Sequence, residues 1–369
     1  MSTYRLDQLF SPRSVAVVGA SPRIGSAGHA VLRNLRAAGF QGKLHLVNPH
    51  YPEIAGLRSV GSVLDLAEAP DLIVIAVPAQ EVPRVVAGAA EKGAAAAIII
   101  TAGLRHGPGS LADADVKAAR PKGLRLIGPN CLGVLAPRVK LNASFAASMP
   151  QPGDLALISQ SGAIVAGMVE WANLRDVGFS AIASLGDMVD VDVSDLLDFF
   201  ALDRATRAIL LYVEAIPDAR KFMSAARAAA RTKPVVVVKS GRHAQGAKAA
   251  QTHTGALAGA DAVYDAAFRR AGLLRVRDIE ELFAAAETLG RLKPFSGRRL
   301  AILTNGGGIG GAGRGPACRS RRHACFAGSR HHPAARCGVA ADLVALEPCR
   351  HRRRRRRGAI RGGFRNPAR

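Results

Sequence analysis

Cysteine is nearly missing from the first 308 residues, where Cys131 is the single example. That excludes a disulfide framework there and fits a reducing compartment. Aromatic residues are also scarce, at 5 % with one tryptophan, so the interleaved aromatics of a nucleic-acid-binding surface are lacking. No apolar run approaches the length of a membrane span. The longest, over 94–100, runs at once into Thr101-Ala102-Gly103. The opening MSTYRLDQLF lacks the basic-then-apolar layout of a secretory signal. A soluble, cytoplasmic protein is therefore expected, with no membrane partner and no metal site.

What is present is a chain of 369 residues, 49 % apolar, long enough for two or three domains with cores of their own. The formal charge of +23 is unevenly placed. Residues 309–369 carry 16 arginines, no lysine and two acids (Asp342, Glu347), together with four of the five cysteines (Cys318, Cys325, Cys337, Cys349). The string RGPACRSRRHACFAGSRHHPAARC reads as neither a helix face nor a strand, and HRRRRRR at 351–357 is a like-charge run expected to stay unfolded. An Arg-rich arm for nucleic acid is one reading of this segment. A shift of reading frame in a GC-rich gene is the reading preferred here, because the periodic pattern stops abruptly after Gly308.

Before that point, short β-branched runs ending in Gly, Pro or Asn alternate with Ala-rich helical stretches. Strands are expected over 14–18, 44–47, 72–77, 95–101 and 124–127, with helices over 26–38 and from 81. A linker over 141–153 leads to strands over 155–159, 179–184, 208–213, 235–239 and 273–276, and to a helix over 278–292. Continuous apolar strands alternating with helices predict parallel sheets covered on both faces. A further strand, 300–304, runs into Asn305-Gly306-Gly307-Gly308 like the first βα turn of a third unit. The expected domains are 8–141, 150–293, the start of a third at 298–308, and a tail over 309–369.

The chemistry-bearing residues fall at strand ends. The first βα turn, Gly19-Ala20-Ser21-Pro22-Arg23-Ile24-Gly25-Ser26, has glycines that admit a phosphate and a helix start that favours an anion. Its spacing is not the nicotinamide fingerprint, and Asn48-Pro49 stands where that fingerprint wants an acid. A glycine-rich turn without ligand is the alternative. Val77-Pro78 and Thr101 lie on the same carboxyl edge, where doubly wound sheets bind ligands. In Gly128-Pro129-Asn130-Cys131-Leu132-Gly133 the thiol is either a nucleophile or, as is commoner, a small buried residue. Ser159-Gln160-Ser161-Gly162 makes either an anion cradle or an ordinary helix cap. Glu214 ends a strand, and Gly186-Asp187 offers a second loop at that edge. His253, in Thr252-His253-Thr254-Gly255, suits a phosphate acceptor held by loop amides, or is a locally bonded loop histidine.

Taken in order, GAS, NP, VP, GPNCLG, SQSGA, SLGD, YVEAI and KSGRHAQGAKAAQTHTGALAG resemble the NDP-forming acyl-CoA synthetases of the succinyl-CoA synthetase superfamily over about residues 8–308. The resemblance implies an α/β protein with a Rossmann-like CoA-binding domain, then a flavodoxin-like succinyl-CoA synthetase domain, and a truncated third α/β domain. It implies that His253 carries the phosphoryl group, that Glu214 orients it, and that Ser159, Ser161 and Gly162 bind phosphate. Gly19, Ser21, Gly25, Ser26, Asn48, Pro49, Val77, Pro78 and Thr101 match the CoA turn and strand ends. The implied reaction is acid + CoA + NTP ⇌ acyl-CoA + NDP + phosphate. The ATP-grasp domain that binds Mg-ATP or ADP in that family is missing from the pattern, so a β subunit or a lost C-terminal domain is expected to supply it, within a hetero- or homo-oligomer. The segments GALAGADAVYDAAFRRAGLLRV and SLGDMVDVD also resemble fusions ending in a GNAT acetyltransferase. A non-catalytic CoA or acyl-CoA sensing domain is therefore the alternative function.

Overall fold

Two seven-stranded sheets follow one another along residues 1–293, the first of two units into which the chain divides. The structure is a computed structural model that describes residues 3–105, 107–242, 261–292, 299–303 and 323–327. The first sheet is built from β1 (Ser14–Val18), β2 (Lys43–Val47), β3 (Glu53–Ile54), β4 (Leu57–Val60), β5 (Leu72–Ile75), β6 (Ala96–Ile99) and β7 (Arg125–Ile127). Its order is β3-β4-β2-β1-β5-β6-β7, parallel except for the β3–β4 hairpin. Helices α1 (Leu6–Phe10), α2 (Ala27–Ala37), α3 (Val82–Lys92) and α4 (Leu111–Ala119) accompany it.

The continuous apolar runs have a simple cause. In β1, Val15 and Val17 enter one core cluster while Ala16 and Val18 enter another. Leu72 and Val74 of β5 separate from Ile73 and Ile75 in the same way. Successive side chains point to opposite faces, and because both faces are covered, positions 15–18 and 72–75 are all apolar. Each fully buried Val, Leu or Ile contributes on the order of 1.5–3 kcal/mol.

The second sheet contains β8 (Gly133–Ala136), β9 (Leu141–Ser144), β10 (Pro152–Ser159), β11 (Phe179–Ser184), β12 (Ala208–Val213), β13 (Val235–Lys239) and β14 (Leu274–Val276). Its order is β14-β13-β12-β10-β11-β8-β9, with β8 and β9 antiparallel at one edge. Helices α5 (Gly162–Arg175), α6 (Val193–Leu202), α7 (Ala219–Thr232), α8 (Asp261–Ala271) and α9 (Ile279–Arg291) complete it. Their starts are set by side chains: Ser161 caps α5, Asp218 caps α7 and Asp278 caps α9, while Asp192 and Asp195 form a reciprocal capping box on α6.

One expectation needs correction here. The stretch 141–153 does not begin as a linker, because its first residues form β9 and pair with β8. The sheets change over near residues 128–132, ahead of the boundary expected at 141. Polar residues in β9 masked it: Asn142 and Ser144 are buried, and the Ser144 hydroxyl donates to Asn142 Oδ1 at 2.6 Å.

The two sheets share one core. Val15 and Val74 belong to the same cluster as Ala156 and Ile158 of β10. Phe10 of α1 stacks on Phe199 of α6 at 5.1 Å and meets Phe200 at 5.0 Å. Asn34 of α2 donates to the carbonyls of Ser144 (2.9 Å) and Ala146 (2.7 Å). Among the described residues no helix is long and apolar enough to cross a membrane.

In the second unit, β15 (Arg299–Leu303) pairs in parallel with β16 (His323–Ala327). The latter lies inside the string that the sequence pattern left without a strand. Ala324-Cys325-Phe326-Ala327 is short enough to be hidden among arginines, and β15 offers its backbone a partner. The Gly306-Gly307-Gly308 turn and the arginine run 351–357 lie outside the described residues.

One helix carries an anomaly with a measurable consequence. Asp115 of α4 is fully buried, and neither of its carboxylate oxygens has a hydrogen-bond partner. Burial pushes its carboxyl up to about 7. The folded state thus holds this proton more tightly than the unfolded chain, so the stabilising proton is retained at pH 4 and lost as pH rises towards 7 and beyond. At about 1.4 kcal/mol per unit, the rise from 3.8 corresponds to a loss on the order of 4 kcal/mol by pH 8. Asp115→Asn is expected to raise the melting temperature at pH 8 by several degrees and to change it little at pH 4. Equal melting temperatures at pH 8 would show that the carboxylate is not desolvated.

Candidate functional site

The carboxyl edge of the first sheet opens a cleft of about 520 Å³ between β1 and β5, where the strand order reverses. Gly19, Ser21, Ser26, Asn48, Pro49, Val77 and Pro78 line it. Gly19 has φ +87, and a Cβ there would stand 2.3 Å from the Ala76 carbonyl oxygen, so no other residue fits this turn. Ser26 caps α2 by accepting from His29 N, and its hydroxyl donates to the Arg23 carbonyl at 2.8 Å. Asn48 ties two strand ends by donating from Nδ2 to the Ala20 carbonyl at 2.7 Å.

Gly25 and Thr101 are not among the lining residues. Thr101 instead donates to the Val77 carbonyl at 2.6 Å, holding the neighbouring strand end in place. Sequence reasoning missed Arg23, His50, Ser62, Glu81 and Arg84, which also line the cleft. Arg23 lay within the quoted turn and could have been found. Arg84 sits on α3 beside Glu81, which it contacts at 2.8 Å, and carried no signal.

A larger cavity, about 840 Å³, lies at the β10–β12 switch of the second sheet. Ser161, Gly162 and Glu214 meet there with Gln160, Asn130, Asp187 and Met188. Its apolar wall comes from Ala27, Ile100, Leu132, Phe145, Ala163 and Ala166. The Ser161 hydroxyl accepts from Ile164 N, so it caps α5 while the helix N-terminus faces the cavity. Ser159 does not reach it. That hydroxyl is buried, donates to the Ser161 carbonyl at 2.8 Å and accepts from Ser161 N at 3.1 Å. Its work is to shape the turn. His253 lies outside the described residues.

The cavity and the cleft are neighbours: Ser26 lines one and Ala27, the next residue, lines the other. Lys239 ends β13 opposite Val213, one residue before Glu214. It is buried, with Nζ 4.7 Å from the Tyr264 ring centre, and burial holds its ammonium below the usual lysine range. Among the described residues no group of three His, Cys, Asp or Glu side chains is placed to hold a metal ion.

Cys131 borders this cavity but is 3 % exposed. Its Sγ donates to the Ile99 carbonyl at 3.3 Å, and burial pushes the thiol up to about 12. A thiol so disposed has almost no thiolate at neutral pH, which favours the small buried residue over the nucleophile.

A pair of doubly wound sheets, each with a glycine- or serine-rich helix start at its switch point, defines a class of α/β proteins with a ligand crevice at the carboxyl edge of each sheet. Comparison with known proteins specifies the family. A family model for a CoA binding domain matches residues 13–137, and one for a succinyl-CoA ligase like flavodoxin domain matches 152–289. The chain is 43 % identical over 316 residues to the acetate–CoA ligase [ADP-forming] I subunit alpha of Pyrococcus furiosus, covering 83 % of this chain and 68 % of that one. It is 43 % identical over 308 residues to acetate–CoA ligase [ADP-forming] I of Archaeoglobus fulgidus, covering 83 % of this chain but 44 % of that longer protein. The solved acetyl-coenzyme A synthetase 1 of Ca. Korarchaeum cryptofilum, in complex with phosphate and ADP, superposes with a TM-score of 0.82 at 36 % identity, over 88 % of this chain and 70 % of that chain. This chain belongs to the NDP-forming acyl-CoA ligases of the succinyl-CoA synthetase superfamily, as their CoA-binding and succinyl-CoA-ligase-like part.

The thiol assignment is open to a direct check. Iodoacetamide at pH 8 is expected to leave the Cys131 peptide unmodified in the folded protein and to alkylate it in urea, as read by mass spectrometry. Rapid alkylation of Cys131 in the folded protein would reinstate the nucleophile.

Proposed function

We propose that this chain binds CoA in the cleft formed by Gly19, Ser21, Ser26, Asn48 and Pro49, and carries a phosphoryl group on His253 beside Glu214 and the N-terminus of α5. The reaction is acid + CoA + NTP ⇌ acyl-CoA + NDP + phosphate. The observation that carries this reading is the 840 Å³ cavity that brings Glu214, Ser161 and Gly162 together next to the α2 helix start.

The chemistry follows from charge. A phosphohistidine has a scissile N–P bond and a dianionic phosphoryl group. The N-terminus of α5, with its unpaired amides and positive dipole end, stabilises that charge. Glu214 accepts the remaining ring N–H of His253, which fixes the tautomer and leaves the other nitrogen to bond phosphorus. A carboxylate oxygen of the acid attacks phosphorus, the N–P bond breaks, and the pair of electrons returns to the imidazole. The resulting acyl phosphate loses phosphate when the CoA sulfur attacks its carbonyl carbon. Apolar walls at Ile100 and Leu132 limit the water that reaches that intermediate.

An ATP-grasp partner or domain supplies the nucleotide and recharges His253. The relatives reported above are named as ligases or synthetases, which leaves the sensing-domain alternative without support.

Two measurements test this reading. In isothermal titration the chain is expected to bind CoA and acetyl-CoA in preference to NAD, and tighter binding of NAD would refute the cleft assignment. With a cognate ATP-grasp subunit and radiolabelled Mg-ATP, the chain is expected to acquire an acid-labile, base-stable label. His253→Ala should abolish it, and Glu214→Gln should lower its rate by about a hundredfold, with CoA binding retained. Labelling that persists in His253→Ala, or that maps to a serine, would overturn the phosphohistidine.

A further inference from the structure

Between the two helix-start hydroxyls of the second sheet stands a side chain that neither the motif reading nor the proposed chemistry uses. Gln160 is 8 % exposed and follows β10 directly. Its own backbone N–H donates to the Tyr212 carbonyl at 3.2 Å, which anchors it to β12. Its carboxamide then reaches past the end of β12. Oε1 accepts from both Glu214 N and Ala215 N, the latter at 2.8 Å. Nε2 donates to the Ala215 carbonyl at 2.7 Å and to Met188 Sδ at 3.1 Å.

These bonds do what a further residue of sheet pairing would do. At Val213 the ladder of β12 stops, and the next peptide groups would have no strand partner. One amide satisfies three of them, two N–H and one C=O, in a fixed plane. The Glu214 backbone is thereby locked in register with the Ser161–Gly162 helix start, because Gln160 is covalently next to it. The Met188 contact ties the same amide to the loop after β11, so the three strand ends at the switch point are held by one side chain.

We infer that Gln160 is a positioning residue: it sets the aim of the Glu214 carboxylate relative to the α5 N-terminus. The inference rests on the reading of Glu214 as the partner of His253. A backbone shift of about 1 Å at Glu214 is enough to cost on the order of a hundredfold in rate where two groups must be aligned. The side chain touches no reacting atom in this scheme, and its removal leaves the CoA cleft intact.

Two variants separate this from a merely structural role. Gln160→Leu keeps the volume and removes every bond of the amide. Gln160→Glu keeps the acceptors for Glu214 N and Ala215 N and loses the donations to the Ala215 carbonyl and Met188 Sδ. Each full-length variant is paired with the cognate ATP-grasp subunit, and His253 labelling is timed alongside CoA titration and amide hydrogen exchange. Gln160→Leu is expected to slow labelling by about ten- to a hundredfold with CoA affinity unchanged, and to speed exchange at Glu214 and Ala215. Gln160→Glu is expected to recover part of the rate and most of the protection; where the leucine variant fails to fold, the rate and protection of this variant against wild type decide the matter. Wild-type labelling matched by Gln160→Leu would overturn the inference and leave the phosphohistidine standing. A wild type that never labels would overturn the phosphohistidine instead. The clamp is then judged by exchange alone, and unchanged protection at Glu214 and Ala215 in Gln160→Leu would refute it.

Discussion

Backbone pairing between two loops holds the carboxyl edges of both sheets side by side. Asp187 N donates to the Pro129 carbonyl at 2.9 Å, Val189 N to Gly128 at 3.2 Å and Val191 N to Leu126 at 3.1 Å. This short ladder joins the end of the first sheet to the loop after β11 of the second. It depends on Gly186, where φ is +57 and a Cβ would lie 2.1 Å from the Pro129 carbonyl oxygen. Asn130 adds a side-chain bond to Asp187 at 3.2 Å. Without the seam, the apolar wall from Ile100 and Leu132 and the polar wall from Ser161 and Glu214 would not enclose one cavity.

Charge reinforces the seam away from the cavity. Arg125, at the start of β7, donates from Nε to Asp190 Oδ2 at 2.9 Å and from Nη1 to the Tyr4 carbonyl at 3.0 Å. Asp195 is shared between Arg125 and Lys221, at 3.5 and 2.8 Å. Burial raises the Asp195 carboxyl, an effect opposed by the hydrogen bond from Lys221. Such a buried set is weak evidence for net stability, since desolvation offsets much of the attraction. Its geometry fixes how the first sheet, α6 and α7 meet.

Strand positions were legible in the sequence because both-face burial leaves a continuous apolar signature, and β11, β12 and β13 fall where that signature put them. Gly19, which lines the cleft, and Gly162 and Glu214, which line the cavity, were legible because they interrupt it at strand ends. Long-range partners were not. Phe10 finds Phe199 and Asn34 finds Ser144 across more than a hundred residues, and no local pattern marks such pairs. In Ser159-Gln160-Ser161-Gly162 the hydroxyls drew attention as anion ligands, yet Ser159 turns inward and Gln160 spans 54 residues to reach Glu214. Likewise, LADADVKAA gives no hint that Asp115 is the buried aspartate and Asp113 a capping neighbour of Ser110 and Lys117.

The α2 helix start has a geometric meaning of its own. Ser26 lines the cleft of the first sheet and Ala27 the cavity of the second, so one peptide link joins the linings of the two spaces. A shift of the α2 start therefore moves a residue of each lining at once. Neither space can be reshaped there alone.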